Sequence, residues 1–332
     1  MSAAPVEVDE TFAARIAAAA GPGVTVRELA VMPGGHSGLT HRVTIDGLPG
    51  HDVVVVKSTP PGRRAIGRHD VLRQARVITA LGPVDEVPTA DVCFLDPQPP
   101  PFFAASCAAG EAIDPVIPED NGERPAELVA ARWRAATEIL AALHAVDPET
   151  IGIQREPRRT PEAELELWCE TMAAARMDDD VRFVRLRDAM RATLPPPAAT
   201  AIVHGDFRLG NLMFDGPSAT ALIDWEIWAI GDPLVDVGWF VQFTDGDNFP
   251  GIGRAAPGTP SATEVLSRYG DLTGADLRDP EWFLALGCLK LAAIQAHNRR
   301  RHLDGRFHDP FQALLGPSIE RHLRRGIDII DG

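Results

Sequence analysis

The stretch VHGDFRLGNLMFD, residues 203–215, followed by ALIDWEIWAIGDPLVDVGW, residues 221–239, is where the chain concentrates its chemistry. Short apolar runs of strand length end there in polar residues, a pattern that delivers reactive groups to loops held by a rigid scaffold. His204-Gly205-Asp206, with Asn211 five residues on, puts one carboxylate and one amide on a single turn. Asp224 supplies a second carboxylate at the end of the next apolar run. Such a set can grip a divalent cation and leave Asp206 to accept a proton, the division of labour that phosphoryl transfer requires. Asp and Asn also make turns by bonding their own backbone, so the loop taken alone leaves both readings open.

Outward from this stretch the texture of the chain changes near residue 110. Before it, β-branched runs at 24–31, 40–45 and 53–57 read as strands separated by glycine-containing turns, with two more strands at 92–95 and 102–106. Between the third and fourth, apolar residues at 71, 72, 75, 78 and 81 predict one amphipathic helix over 69–81. After Gly110 the pattern is mainly helical: Val129, Trp133, Ala136, Leu140 and Leu143 draw one stripe, and further helices are expected at 161–176, 180–193, 233–243, 261–269, 280–303 and 310–329. The expectation is an α+β chain with a small antiparallel-sheet lobe (1–104), a hinge (105–110) and a large, mainly helical lobe (111–332).

Composition narrows the function. With 47 acidic against 32 basic side chains in 332 residues, the formal charge is −15 and the pI about 5.1, which argues against nucleic acid as a partner. The apolar stretch 282–294 is interrupted by Lys290 and too short to span a bilayer, so no membrane association is expected. Cys93, Cys107, Cys169 and Cys288 lie far apart without a CxxC pair, which speaks against a zinc site or a disulfide framework. The opening MSAAPVEVDE has neither a basic segment nor a long apolar run of the secretory type, so a cytoplasmic location is expected.

The two quoted stretches resemble the catalytic loop and metal-binding segment of the aminoglycoside phosphotransferase and choline kinase family, whose fold is related to that of eukaryotic protein kinases. The resemblance continues upstream in order: a glycine-containing loop between two strands (PGGHSGLTHRV), a lysine in the third strand (VVVVKS) and a helix after it, covering about residues 24–300. It implies a phosphotransferase that moves the γ-phosphoryl group of ATP, or GTP, to a hydroxyl of a small molecule with Mg²⁺ as cofactor. Residue by residue, it implies Asp206 as catalytic base and Asn211 and Asp224 as magnesium ligands. Gly34, Gly35 and Ser37 would fold over the phosphates, where glycine permits close backbone approach. Lys57 would reach the α- and β-phosphates, with Gln74 beside it. His204 is expected to be a scaffold residue. Asp232 and Asp236 are expected to be structural, Asp232 with Pro233 opening a helix. Glu226 is open between a supporting role at the site and an exposed acid.

Two features depart from the family pattern. Relatives usually carry a glutamate where this chain has Gln74, so the lysine lacks its usual partner, and Asp70, one turn earlier, is a candidate substitute. Phe102-Phe103-Ala104-Ala105-Ser106-Cys107 is also unusually small-chained for a hinge, which bears on nucleotide preference. The wording of the second stretch is closer to the phosphotransferase domains related to those of acyl-CoA dehydrogenase fusion proteins than to dedicated resistance enzymes, implying a hydroxyacyl-CoA-like acceptor. The acidic residues over 162–180 and the Arg299-Arg300-Arg301 cluster pull toward cationic and anionic acceptors respectively. Alternatives are a nucleotide-binding pseudoenzyme, an aminoglycoside- or macrolide-type antibiotic kinase, and a metal-dependent hydrolase using Asp206, Asn211 and Asp224.

Overall fold

Period-two alternation in the valine-rich runs builds the first part of the molecule. The computed structural model describes residues 10–32, 39–60, 62–113, 124–196, 200–250, 253–274, 277–306 and 309–332. Strands β1 (Thr25–Val31), β2 (Leu39–Asp46), β3 (Val53–Ser58), β4 (Val92–Asp96) and β5 (Phe102–Ser106) pair antiparallel in the order β1-β2-β3-β5-β4. Val43 and Ile45 of β2, Val54 and Val56 of β3, and Phe102 and Ala104 of β5 form one core with Ile16 from helix α1 (Glu10–Ala20). Lys57 sits in register with Thr40 and Phe103, and alternation turns it away from the face of Val54 and Val56. Helix α2 (Val71–Leu81) starts at Asp70, whose carboxylate accepts from the Arg73 N–H at 3.0 Å, and it packs on β4 and β5.

Two compact units divide the chain: Met1–Gly110 with Thr220–Trp228, and Glu111–Ala219 with Ala229–Gly332. The sheet unit therefore includes a short segment from far along the chain, where a contiguous division had been expected. Asp224 and Glu226 belong to it. β5 spans the strand expected over 102–106, Ala105 pairing with Val55 and Ser106 with Val54, and so takes in the first two residues of the expected hinge.

The second unit is helical around a three-stranded sheet. Helices α3 (Ala126–Ala145), α4 (Pro161–Ala174) and α5 (Val181–Ala192) precede strand β7 (Ala201–Val203), with the short strand β6 (Arg158–Arg159) between α3 and α4. Strand β8 (Leu212–Asp215) follows, then β9 (Ser218–Leu222), whose residues from Thr220 on belong to the sheet unit, then β10 (Ala229–Gly231), which pairs with β6 in parallel and with β7 antiparallel. Helices α6 (Leu234–Phe240), α7 (Ala262–Thr273), α8 (Pro280–Leu303) and α9 (Gly316–Asp331) complete it. Helix α8 runs through the middle, in contact with α4, α6 and α9. The span expected as one helix over 310–329 is a 3₁₀ turn, Pro310–Leu315, that leads into α9; the one expected over 233–243 is α6 followed by a 3₁₀ turn, Val241–Thr244. Among the described residues no helix is long and apolar enough to cross a membrane.

Candidate active site

In the helical unit the HGD turn leaves β7 with its backbone clamped on both sides. Gly205 has φ +84°, a left-handed conformation that a side chain would strain, which accounts for glycine between His204 and Asp206. The fully buried carboxylate of Asp236, on α6, accepts from the His204 N–H at 2.6 Å and the Gly205 N–H at 2.8 Å. His144 of α3 bridges Asp236 Oδ2 (3.4 Å) and Tyr269 Oη (2.8 Å). Burial works against ionisation of Asp236, but the His144 bond and the charges of His144, His204 and Lys290 outweigh it and hold the carboxyl below its ordinary range. Asp236 and Asp232 are structural here as expected: Asp232 Oδ1 accepts from the Leu234 N–H at 2.9 Å and opens α6. His204 is fully buried and its Nδ1 accepts from the Asp206 N–H at 3.1 Å, the scaffold role read from the sequence.

The Asp206 side chain stands beyond this clamp. Asn211 closes the loop over it, its Nδ2 donating to the Asp206 carbonyl at 2.7 Å and to Oδ2 at 2.8 Å. With its amide hydrogens so used, Asn211 offers its oxygen as the atom available to a cation. Arg208, to which the sequence reading gave no role, lies with Nε 3.7 Å from Asp206 Oδ1 and its guanidinium over the Phe243 ring. Phe207, fully buried edge-on to Phe240 with ring centroids 5.2 Å apart, pins the middle of the loop to the core.

The sheet unit holds the other group of expected residues. Lys57 Nζ meets Asp224 Oδ1 at 2.6 Å and Glu226 Oε2 at 3.7 Å. Burial works against the ammonium, and the Asp224 and Glu226 carboxylates overcome it and raise the amine above its ordinary pKa. Asp224 has φ 66° and ψ 55°, a left-handed conformation that aspartate tolerates better than most residues, at the start of the 3₁₀ turn Trp225–Ile227. The Trp225 indole anchors that turn by donating to the Leu222 carbonyl at 2.9 Å.

The anions beside Lys57 thus come from the IDWE segment and not from helix α2. Gln74 is buried and its Nε2 donates to the Arg68 carbonyl at 3.4 Å; Asp70, the candidate substitute anion, is occupied as the helix cap. The physical reason is local: an aspartate before a helix start is held by the unsatisfied N–H groups of the first turn. Glu226, left open by the sequence, is a neighbour of Lys57. Gly34, Gly35 and Ser37 lie outside the described residues.

Of the two residues expected to hold magnesium, Asn211 belongs to the helical unit and Asp224 to the sheet unit. Asn211 and Asp224 present hard oxygen atoms, and among the described residues no cluster of three or more His, Cys, Asp or Glu gathers into an all-protein cage. Magnesium is typically held by one or two carboxylates together with phosphate oxygens and water, and carboxylate and amide oxygens are of that hard type.

Comparison with known proteins bears on this arrangement. The model of the phosphotransferase enzyme family (APH) matches residues 28–269. Acyl-CoA dehydrogenase family member 11 of Gallus gallus is 29% identical over 278 residues, covering 77% of this chain and 35% of the relative, so the chain spans about a third of that protein's length. Viomycin phosphotransferase of Streptomyces vinaceus is 30% identical over 238 residues, 65% of this chain and 73% of that one. A crystal structure from Ralstonia eutropha JMP134, provisionally named an aminoglycoside phosphotransferase, superposes with a TM-score of 0.75 at 23% identity over 97% of this chain and 98% of its own, and shows the shared fold. A family match over most of the chain, on a sheet unit and a helical unit that carry the HGD loop and the IDWE turn, leads to one conclusion: the chain belongs to the phosphotransferase enzyme family.

Proposed function

We propose that the protein transfers the γ-phosphoryl group of ATP to a hydroxyl of a small molecule, with Asp206 as the base. The observation that carries this reading is the clamped HGD loop, in which a carboxylate is fixed by Asn211 on a backbone held by Asp236 and His204. The oxygen of the acceptor hydroxyl forms a bond to the γ-phosphorus as the bond from that phosphorus to the β-bridging oxygen breaks. Asp206 takes the hydroxyl proton, and ADP leaves. Lys57 binds the α- and β-phosphates, and Asp224 and Glu226 keep its ammonium charged and in place. Asn211 and Asp224 would hold Mg²⁺, which when bound neutralises phosphate charge.

The proposed acceptor is an anionic or neutral hydroxylated metabolite of the hydroxyacyl-CoA type. Two observations favour it over a polycation. Acyl-CoA dehydrogenase family member 11 matches more of this chain than viomycin phosphotransferase does, 77% against 65%. Several of the acidic residues that would attract a polycation are engaged internally: Glu164 with Arg159 at 2.8 Å, Glu166 with Arg191 at 2.7 Å, and Asp180 with Arg182 at 2.7 Å. The similarity to viomycin phosphotransferase supports an antibiotic kinase as the second reading. ADP release measured over a panel of hydroxyacyl-CoA esters, aminoglycosides, macrolides and viomycin separates them. Acceptor-dependent release with an acyl-CoA and background rates with the antibiotics is the expected result; robust antibiotic turnover would reverse the assignment.

A further inference from the structure

Helix α8 carries one charge deep in its apolar middle. In LGCLKLAAIQA, residues 286–296, Lys290 is 2% exposed, flanked by Leu289 and Leu291, which are buried as well. Its ammonium donates to the carbonyl of Gly205 and lies over two indole rings, 4.2 Å from the centroid of Trp239 and 5.2 Å from that of Trp168. Burial lowers its pKa below the ordinary lysine value, while the carboxylates of Asp206, Glu164 and Asp236 attract it and Arg159 repels it. An ammonium is costly to bury, whereas methionine or leucine would fill the same space between two indoles without that cost. Packing therefore does not explain a lysine here.

What it touches does. The peptide joining Gly205 to Asp206 has its N–H end held by His204 Nδ1, while the N–H of Gly205 is held by Asp236. Its carbonyl end is held by Lys290. We propose that Lys290 is a positioning residue of the phosphoryl-transfer loop: by fixing the Gly205 carbonyl it completes the clamp that sets the direction of the Asp206 carboxylate. The two indole faces attract the ammonium without competing for its hydrogen bond to the carbonyl. The inference rests on the reading of Asp206 as the base.

Lys290→Met and Lys290→Arg test it, with amide hydrogen exchange at residues 204–207, melting temperature, and kcat and KM for ATP measured on the full chain. In the methionine variant the melting temperature is expected within a few degrees of wild type. Exchange at 204–207 is expected to quicken by about tenfold or more while the core of α8 is unchanged. kcat is expected to fall on the order of 10–100-fold with KM for ATP changed by less than about twofold, the signature of lost orientation and not of lost binding. The arginine variant, which keeps a cation and a donor, is expected to retain most of the loop's protection. Unchanged exchange in the methionine variant overturns the proposal, as does failure of both variants to fold, which would assign Lys290 to stability. Quickened exchange in a protein whose wild type transfers phosphoryl from neither ATP nor GTP supports the positioning role and overturns the functional reading instead.

Discussion

At the residue scale, Asp224 has two relationships in the account: an ion pair with Lys57 in this structure and a cation in the proposed reaction. A carboxylate facing an ammonium forms a charge-assisted bond stronger than a neutral one, so Asp224 fixes the partly buried lysine as well as carrying charge of its own. Asp224→Ala is expected to abolish the part of the ATP-induced rise in melting temperature that depends on Mg²⁺, read by thermal shift with ATP, ATP plus EDTA, and ATP plus Mg²⁺. An Mg²⁺ increment equal to that of wild type would move the metal site elsewhere. Much of this scale was legible in the sequence, because HGDxxxxN and IDWE hold their chemistry in contiguous residues. The partner of Lys57 was not. Position 74 was the natural place to look, but contact in a fold depends on side-chain direction and chain path, and Asp224 reaches Lys57 across 167 positions of sequence. Lys290 was noticed only as a charge interrupting an apolar stretch, since nothing local in a helix says that its ammonium meets a loop 85 residues away.

At the scale of elements, helices α6 and α8 approach closely enough to exclude a single methyl group. A Cβ on Gly238 would fall inside the radius of the Phe283 carbonyl oxygen, and a Cβ on Gly287 inside that of the Gly238 carbonyl oxygen. Both obstacles are backbone, which cannot rotate away. Gly238→Ala is therefore expected to destabilise the protein by about 1–3 kcal/mol, the usual range for overpacking, measured by urea unfolding. Because α6 carries Asp236, the same substitution is expected to lower kcat. Unaltered stability would mean that the two helices can separate at little cost. Strands β1 to β5 and helices α2 to α5 were readable from periodicity, but α1 was not. ETFAARIAAAA is so rich in alanine that it draws no sharp stripe, and its place is set by Ile16 docking on the sheet. The hinge expected over 105–110 overlaps the end of the strand expected over 102–106, because small residues suit an inner strand as well as they suit a linker.

At the scale of the whole molecule, a buried ring adds to the loss of stability in acid. His322, on α9, is fully buried against Phe249, and among the described residues neither ring nitrogen has a hydrogen-bond partner. Burial first, and then the charges of Arg325 and Arg321, lower its pKa from 6.5 to about 3. Above pH 6.5 the ring is neutral in folded and unfolded chains alike, so it has no effect on the pH dependence. Between about 6.5 and 3 only the unfolded chain takes up the proton, so stability falls as pH falls. His322→Leu is expected to flatten the decline of melting temperature between pH 7 and 4, and an unchanged slope would remove the residue from that account. This ring could not be singled out from sequence, because its depressed pKa is a property of packing from several elements.

The division into two units gives the sequence reading its other correction. Texture alone located the change near residue 110, but the return of Thr220–Trp228 to the sheet unit depends on β9 and on the Leu222 N–H bonding the Pro88 carbonyl at 2.8 Å, a contact no local pattern encodes. Label transfer reads out what the chain does with ATP. Wild type and Asp206→Asn are incubated with γ-labelled ATP, Mg²⁺ and the hydroxylated acceptor panel, with ATP binding followed in parallel. Label is expected on one acceptor with wild type, with a rate lower by roughly 10²–10⁴-fold in the variant at unchanged ATP affinity. No label on any acceptor with wild type, or equal rates in the two proteins, would contradict the proposed transfer.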